Sequence, residues 1–225
     1  MKLVIINDLF MKKILIWFPV AMLILSTGCK PRVPRIVLPE NPSPVESLAA
    51  SEIRRYIYLR NGELANIAES DKSFSKGTVI QIERMNAAGA EEFYLKTMSE
   101  GNLQKIIVSG GSDIAILYGA YELAEQLGIR FYMHGDVVPD EKIPFNLTEL
   151  DMRRKPLFSV RGILPFHDFA TGPDWWNEND YKAIIAQLPK MKMNFIGFHT
   201  YPYRSNIKDI IYNAEPLYGS ARRRM

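Results

Sequence analysis

The chain has 225 residues, 47% of them apolar and 24% charged, a balance that fits a globular protein and excludes a disordered one. Its formal net charge is +3. Lys2, Lys12 and Lys13 against Asp8 place +2 of that charge in the first 28 residues, so the remainder is nearly neutral and carries no electrostatic footprint for nucleic acid.

Residues 1–29 read as an export segment rather than as part of a fold. Met11-Lys12-Lys13 makes a better start than Met1, and the apolar run 14–25, ILIWFPVAMLIL, has signal-peptide length but is short for a bilayer span. Ser26-Thr27-Gly28-Cys29 follows and resembles the bacterial lipobox, in which the cysteine takes the lipid and becomes the new N-terminus. The resemblance implies a lipid anchor on Cys29. This is the single cysteine of an exported chain, where an internal disulfide has no second partner. A cleaved signal peptide without lipid and an uncleaved helical anchor are the alternatives. Lys30-Pro31-Arg32 supply no acidic cluster, which favours a periplasm-facing lipoprotein of the outer membrane over one at the cell surface.

Residues 30–140 are expected to form the first domain. A proline-rich leader surrounds a strand at 35–38. Apolar residues then recur at helical spacing through Leu48, Ala49, Ile53, Tyr56 and Ile57, with Pro44 in the first turn and Gly62 as the stop. Residues 78–82 (TVIQI) read as a strand, and 92–98 with 104–109 as a hairpin turning at Glu100-Gly101-Asn102. Gly110-Gly111-Ser112 leads into a second helix with a face of Ile114, Leu117, Tyr118, Tyr121 and Ala124, closed by Gly128. A short strand at 129–133 ends the domain. The expected class is α+β: a small, mainly antiparallel sheet under two helices. The Gly-Gly-Ser turn could cradle a phosphate on the helix N-terminus, but lacks both G-x-G-x-x-G and Gly-Lys-Ser/Thr. A tight turn with Ser112 or Asp113 as cap is the better reading. Nothing in the sequence asks for a metal or a cofactor.

Residues 141–156 read as a linker and 157–225 as a second region. Residues 158–164 (FSVRGIL) suggest a strand, 178–193 a helix disturbed at Pro189, and 194–200 (NFIGFHT) a buried parallel strand. Together they make one β-α-β unit, which cannot bury both faces of its strands alone.

The stretch Gly111-Ser-Asp-Ile-Ala-Ile-Leu-Tyr-Gly-Ala-Tyr-Glu-Leu-Ala-Glu-Gln-Leu-Gly128 is similar to a helix of α-glucuronidase N-terminal domains. Lys190-Met-Lys-Met-Asn-Phe-Ile-Gly-Phe-His199 and the Trp-bearing loop after 158–164 resemble the opening of the barrel that follows such domains in large glycoside hydrolases. The resemblance covers about 35–203. It implies a hexosaminidase domain 2-like accessory domain followed by the start of a (β/α)8 barrel, with carbohydrate as the partner.

Barrel sites lie at the C-terminal ends of strands. His167, Asp168, Trp175 and Trp176 follow the first expected strand, and His199 closes the second. Flat aromatic faces and planar polar groups suit a sugar, so these five are the candidate substrate contacts. Each has a plainer reading. The Trp pair can be a lid on the core, His167-Asp168 a pair that orders its loop, and His199 a core residue. Asp174, Glu178 and Asp180 fit a helix N-terminus. Glycoside hydrolysis needs two flanking carboxyl groups, and the resemblance puts these on later strands. A barrel takes about 250 residues, so the expectation is a fragment or frame-shifted gene product with no catalytic residue and no activity. The alternative is a non-enzymatic glycan- or protein-binding lipoprotein.

Overall fold

A computed structural model describes residues 33–69, 74–86, 88–165 and 173–197. The leader with Cys29 lies outside these residues, as do His167, Asp168 and His199.

The first strand, β1 (Arg35–Val37), leads into helix α1 (Pro44–Asn61). The sequence dictates both helix ends. Ser43 and Glu46 form a reciprocal capping box, Pro44 sits in the first turn, and Gly62 takes the left-handed φ of 82° at the stop. Glu46 is completely buried yet satisfied: it accepts from the Ser43 amide at 2.7 Å and from Arg84 Nε at 2.6 Å. β2 (Asn66–Ala68), β3 (Gly77–Arg84), and the hairpin of β4 (Phe93–Glu100) and β5 (Leu103–Gly110) follow. Then come α2 (Asp113–Gln126), the two-stranded ribbon of β6 (Arg130–Tyr132) and β7 (Gly135–Val137), and β8 (Asp151–Arg154).

Six strands form one sheet in the order β2-β1-β3-β5-β4-β8. The class is α+β as expected, but the sheet is mixed rather than mainly antiparallel. β1 runs parallel to β2 and β3, and β3 parallel to β5; only the β5–β4 and β4–β8 pairs are antiparallel. The cause is the placement of the hairpin. β5, not β4, lies against β3, so the hairpin turn puts β4 outside and leaves two like-directed strands as neighbours. The stretch read as a linker contributes β8, an edge strand paired to β4 from Phe93↔Arg154 to Lys96↔Asp151.

Ile36, Ile80, Ile82, Leu95, Ile106 and Val108, all buried, share one sheet face and pack under α1 and α2. Tyr56, Tyr121 and Phe131 meet edge-to-face at centroid distances of 5.3–6.3 Å, which fastens the ribbon to the helices. Arg60, also buried, donates from Nε to the Leu127 carbonyl at 2.7 Å and from Nη1 to that of Pro139 at 3.1 Å, tying the ends of the two helices together.

The remaining elements are β9 (Gly162–Ile163), a 3-10 turn (Pro173–Trp175), α3 (Glu178–Gln187), a second 3-10 turn (Pro189–Met191) and β10 (Phe195–Ile196). β9 and β10 are parallel, so the expected β-α-β connection is present. β9 is shorter than the apolar run 158–164 suggests, and among the described residues β10 covers Phe195–Ile196. Phe158 and Val160 are exposed, and so is Phe195, which was expected to be buried; among the described residues β10 has a partner on one side only. α3 stops before Pro189, as the missing amide of proline requires.

Candidate functional site

The Gly-rich turn before α2 is filled by protein. A Cβ on Gly110 would lie 2.6 Å from the Ile116 amide nitrogen, and one on Gly111 would lie 2.2 Å from the Gly89 carbonyl oxygen. Only glycine permits this approach of three backbone segments. Gly111 donates to Glu92 O at 3.0 Å, and Ser112 caps the helix through Ala115 N at 3.3 Å while its hydroxyl donates to Ala90 O. The plain reading of the turn, with Ser112 as cap, is the observed one.

Of the five candidate sugar contacts, the structure describes Trp175 and Trp176. Trp175 ends the 3-10 turn and is 71% exposed, so its indole does not cover the core. Trp176 meets Tyr181 edge-on at 5.4 Å, and the Tyr181 hydroxyl donates to Pro173 O at 2.8 Å. Asn177 caps α3 through the amides of Asn179 (2.8 Å) and Asp180 (3.3 Å), and Asp180 accepts from the Asn177 amide in return. Asp180 therefore has the helix-end role read from its position. Glu178 pairs with Lys182 at 2.6 Å one turn along the helix, on the exposed side. The loop thus holds one indole against a helix and offers the other to solvent.

The β-α-β unit sits on the first domain through charges that the sequence reading did not single out. Asp136 in β7 is the centre. Its Oδ1 and Oδ2 each accept from Lys190 Nζ at 2.9 Å, Oδ1 accepts from Gln187 Nε2 at 3.0 Å, and Oδ2 accepts from Tyr56 OH at 2.7 Å. The Asp136 and Lys190 side chains are only 11% and 10% exposed. Burial opposes charge on Asp136, but the bonds from Lys190, Gln187 and Tyr56 outweigh it, and the carboxyl stays below its ordinary pKa. Burial, followed by the bond to Asp136, pushes the Tyr56 phenol far upward, so it remains a donor. At a second station, Lys192 pairs with Glu122 at 3.0 Å and with Glu125, both on α2. At a third, Arg161 Nη1 and Asn194 Nδ2 donate to opposite oxygens of Glu91, each at 2.9 Å. The Arg161 bond is the main reason that Glu91 titrates below its ordinary range. Tyr118 OH adds a bond to Met193 O at 3.2 Å.

In these three stations every carboxylate belongs to the first domain, and Lys190, Lys192 and Arg161 of the β-α-β unit pair with them; Arg55 of α1, 3.7 Å from Asp136, adds a cation from the first domain itself. A sequence signal existed in Lys190 and Lys192, which bracket Met191 beside the second strand. Their partners lie 54 and 67 residues away, a separation that no local pattern reports.

No protein-family model matches the chain, and no curated protein matches it. Solved structures do. A family GH115 4-O-methyl-α-glucuronidase, with specificity for decorated arabinogalactans, aligns over 73% of this chain at 16% identity and a TM-score of 0.54. The fold is glycoside-hydrolase-like. The relationship is distant, and the chain spans 25% of the glucuronidase's length. A GH138 enzyme targeting pectin rhamnogalacturonan II aligns over 75% of this chain and 19% of its own, at 13% identity and TM-score 0.48. The N-acetyl-β-hexosaminidase of Streptomyces plicatus aligns over 73% and 30%, at 12% identity and TM-score 0.46.

Proposed function

We propose that this chain is the N-terminal part of an exported glycoside hydrolase of the α-glucuronidase-like kind, anchored by lipid on Cys29, and that it contacts carbohydrate without cleaving it. The fold shared with the glucuronidase carries the reading. Two features of the second region support it. A parallel β-α-β unit leaves Leu157, Phe158, Val160 and Leu164 exposed, as the opening strands of a larger (β/α)8 barrel would before their neighbours are added. The loop leaving the C-terminal end of β9 carries the exposed Trp175, where such barrels take their substrates. His167, Asp168, Trp176 and His199 complete the proposed contact set.

The described carboxylates near this loop are engaged structurally, Glu178 with Lys182 and Asp180 as a cap partner, which supports contact without hydrolysis. The same observation favours the second reading, a glycan- or protein-binding lipoprotein. Incubation of the purified chain with a 4-O-methylglucuronoside should release no sugar, and turnover would overturn the proposal. Labelled fatty acid should enter the wild-type protein in a bacterial host but not Cys29→Ala. Equal labelling of the two would overturn the anchor.

A further inference from the structure

Arg161, Lys190 and Lys192 share one location in the fold. Arg161 immediately precedes β9, while Lys190 and Lys192 precede β10. Because the strands are parallel, both groups stand at the same, N-terminal, end of the pair. The loops proposed to meet carbohydrate leave from the other end. Each strand is two residues long, so the two ends are separated by roughly 7 Å at about 3.3 Å per residue. Gly162 keeps this short lever tight: a Cβ there would lie 1.8 Å from the Phe195 carbonyl oxygen.

We infer that Asp136 is a positioning residue. By holding Lys190 and Gln187 it fixes the start of β10 and the C-terminal end of α3, the helix against which Trp176 packs through Tyr181. This rests on the reading of Trp175 and Trp176 as carbohydrate contacts. Asp136 is suited to the task because its own position is over-determined. Phe131, its cross-strand partner, packs against Tyr56 and Tyr121, and the Tyr56 hydroxyl holds its carboxylate from α1. Arg55, also on α1, lies 3.7 Å away on the solvent side. The Glu91–Arg161–Asn194 station does the same for β9: Arg161 Nε donates to Lys192 O at 2.8 Å and Asn194 Oδ1 accepts from the Arg161 amide at 2.9 Å, which couples the two strand starts. The first domain thus becomes the seat on which α3 and the two strand starts rest.

Lys190→Met removes the cation and leaves Asp136 with Tyr56, Gln187 and Arg55, while Lys190→Arg keeps the charge. Amide exchange of the full chain is followed by mass spectrometry, together with acrylamide quenching of tryptophan emission. Lys190→Met should speed exchange in residues 187–196 at least tenfold and raise quenching about twofold, with β3, β4 and β5 unchanged; Lys190→Arg should stay within twofold of wild type. Exchange and quenching unchanged in Lys190→Met would overturn the inference, and so would a uniform acceleration across the whole sheet. Loss of fold in Lys190→Met passes the decision to Gln187→Leu, which removes one bond to Asp136 and should speed exchange in 187–196 about threefold; no change there overturns the inference. These readouts need no ligand. Failure of Trp175 to matter for glycan binding would defeat the reading of the loops and leave this result standing.

Discussion

Replacing Asp136 by alanine removes one carboxylate and strands Lys190, whose side chain is 10% exposed and whose ammonium makes both of its bonds of 2.9 Å to that group. The Tyr56 hydroxyl and Gln187 amide lose their acceptor in the same step. Breaking a buried pair from one side costs about 3–5 kcal/mol, because the remaining charge is left desolvated. Arg55 adds little to this figure, since its side chain is half exposed and 3.7 Å distant. For a chain of this size, 1 kcal/mol moves the midpoint by about 2–4 °C, so Asp136→Ala should lower Tm by roughly 6–20 °C. The double variant Asp136→Leu/Lys190→Met replaces the pair by apolar groups and should recover most of that loss. Thermal unfolding followed by circular dichroism at neutral pH measures both. A drop of less than about 2 °C in Asp136→Ala, or no recovery in the double variant, would refute the assignment of Asp136 as the anchor of this interface.

Three further outcomes follow from the same geometry. Asp136 and Glu91 both have folded pKa values below their ordinary ones, so their stabilisation is present above the unfolded carboxylate range, near 4, and is lost as pH falls through the depressed values. Their contribution should be flat from pH 8 to 5 and decline below about pH 4, with a shallower decline in Asp136→Asn; a loss between pH 7 and 5.5 that Asp136→Asn abolishes would contradict it. Gly111→Ala forces a Cβ to within 2.2 Å of the Gly89 carbonyl oxygen and should destabilise by about 1–3 kcal/mol in urea unfolding, whereas inorganic phosphate should leave Tm unchanged. Ser43→Ala removes the cap bond to the Glu46 amide and should cost about 1 kcal/mol by the same measurement.

The sequence disclosed what short-range chemistry controls. Both long helices were legible, because their caps and apolar spacing lie within one stretch of chain, and so was the break at Pro189. The order of the sheet was not. Whether β4 or β5 lies beside β3 depends on a pairing between residues such as Ile80 and Ile106, and alternation of apolar residues is the same in either arrangement. β8 escaped notice because Asp151-Met152-Arg153-Arg154 is charged, as a protected edge strand often is; only Met152 faces the core. Trp175 was legible as a candidate because an indole in a polar loop is conspicuous in any sequence, and its exposure excludes the lid reading for that ring. Asp136 and Glu91 were not, since a paired charge and a solvated one are written with the same letter and differ only in partners brought from far along the chain.

The proposal that this glycoside-hydrolase-like chain contacts carbohydrate through the loop beyond β9 is met most directly by one titration. The 4-O-methylglucuronoside is titrated calorimetrically into the wild-type chain and into Trp175→Ala. Wild type should bind, and loss of the exposed indole should weaken binding at least tenfold with Tm unchanged. Equal affinity of the two proteins, or no heat of binding in either, would contradict the account.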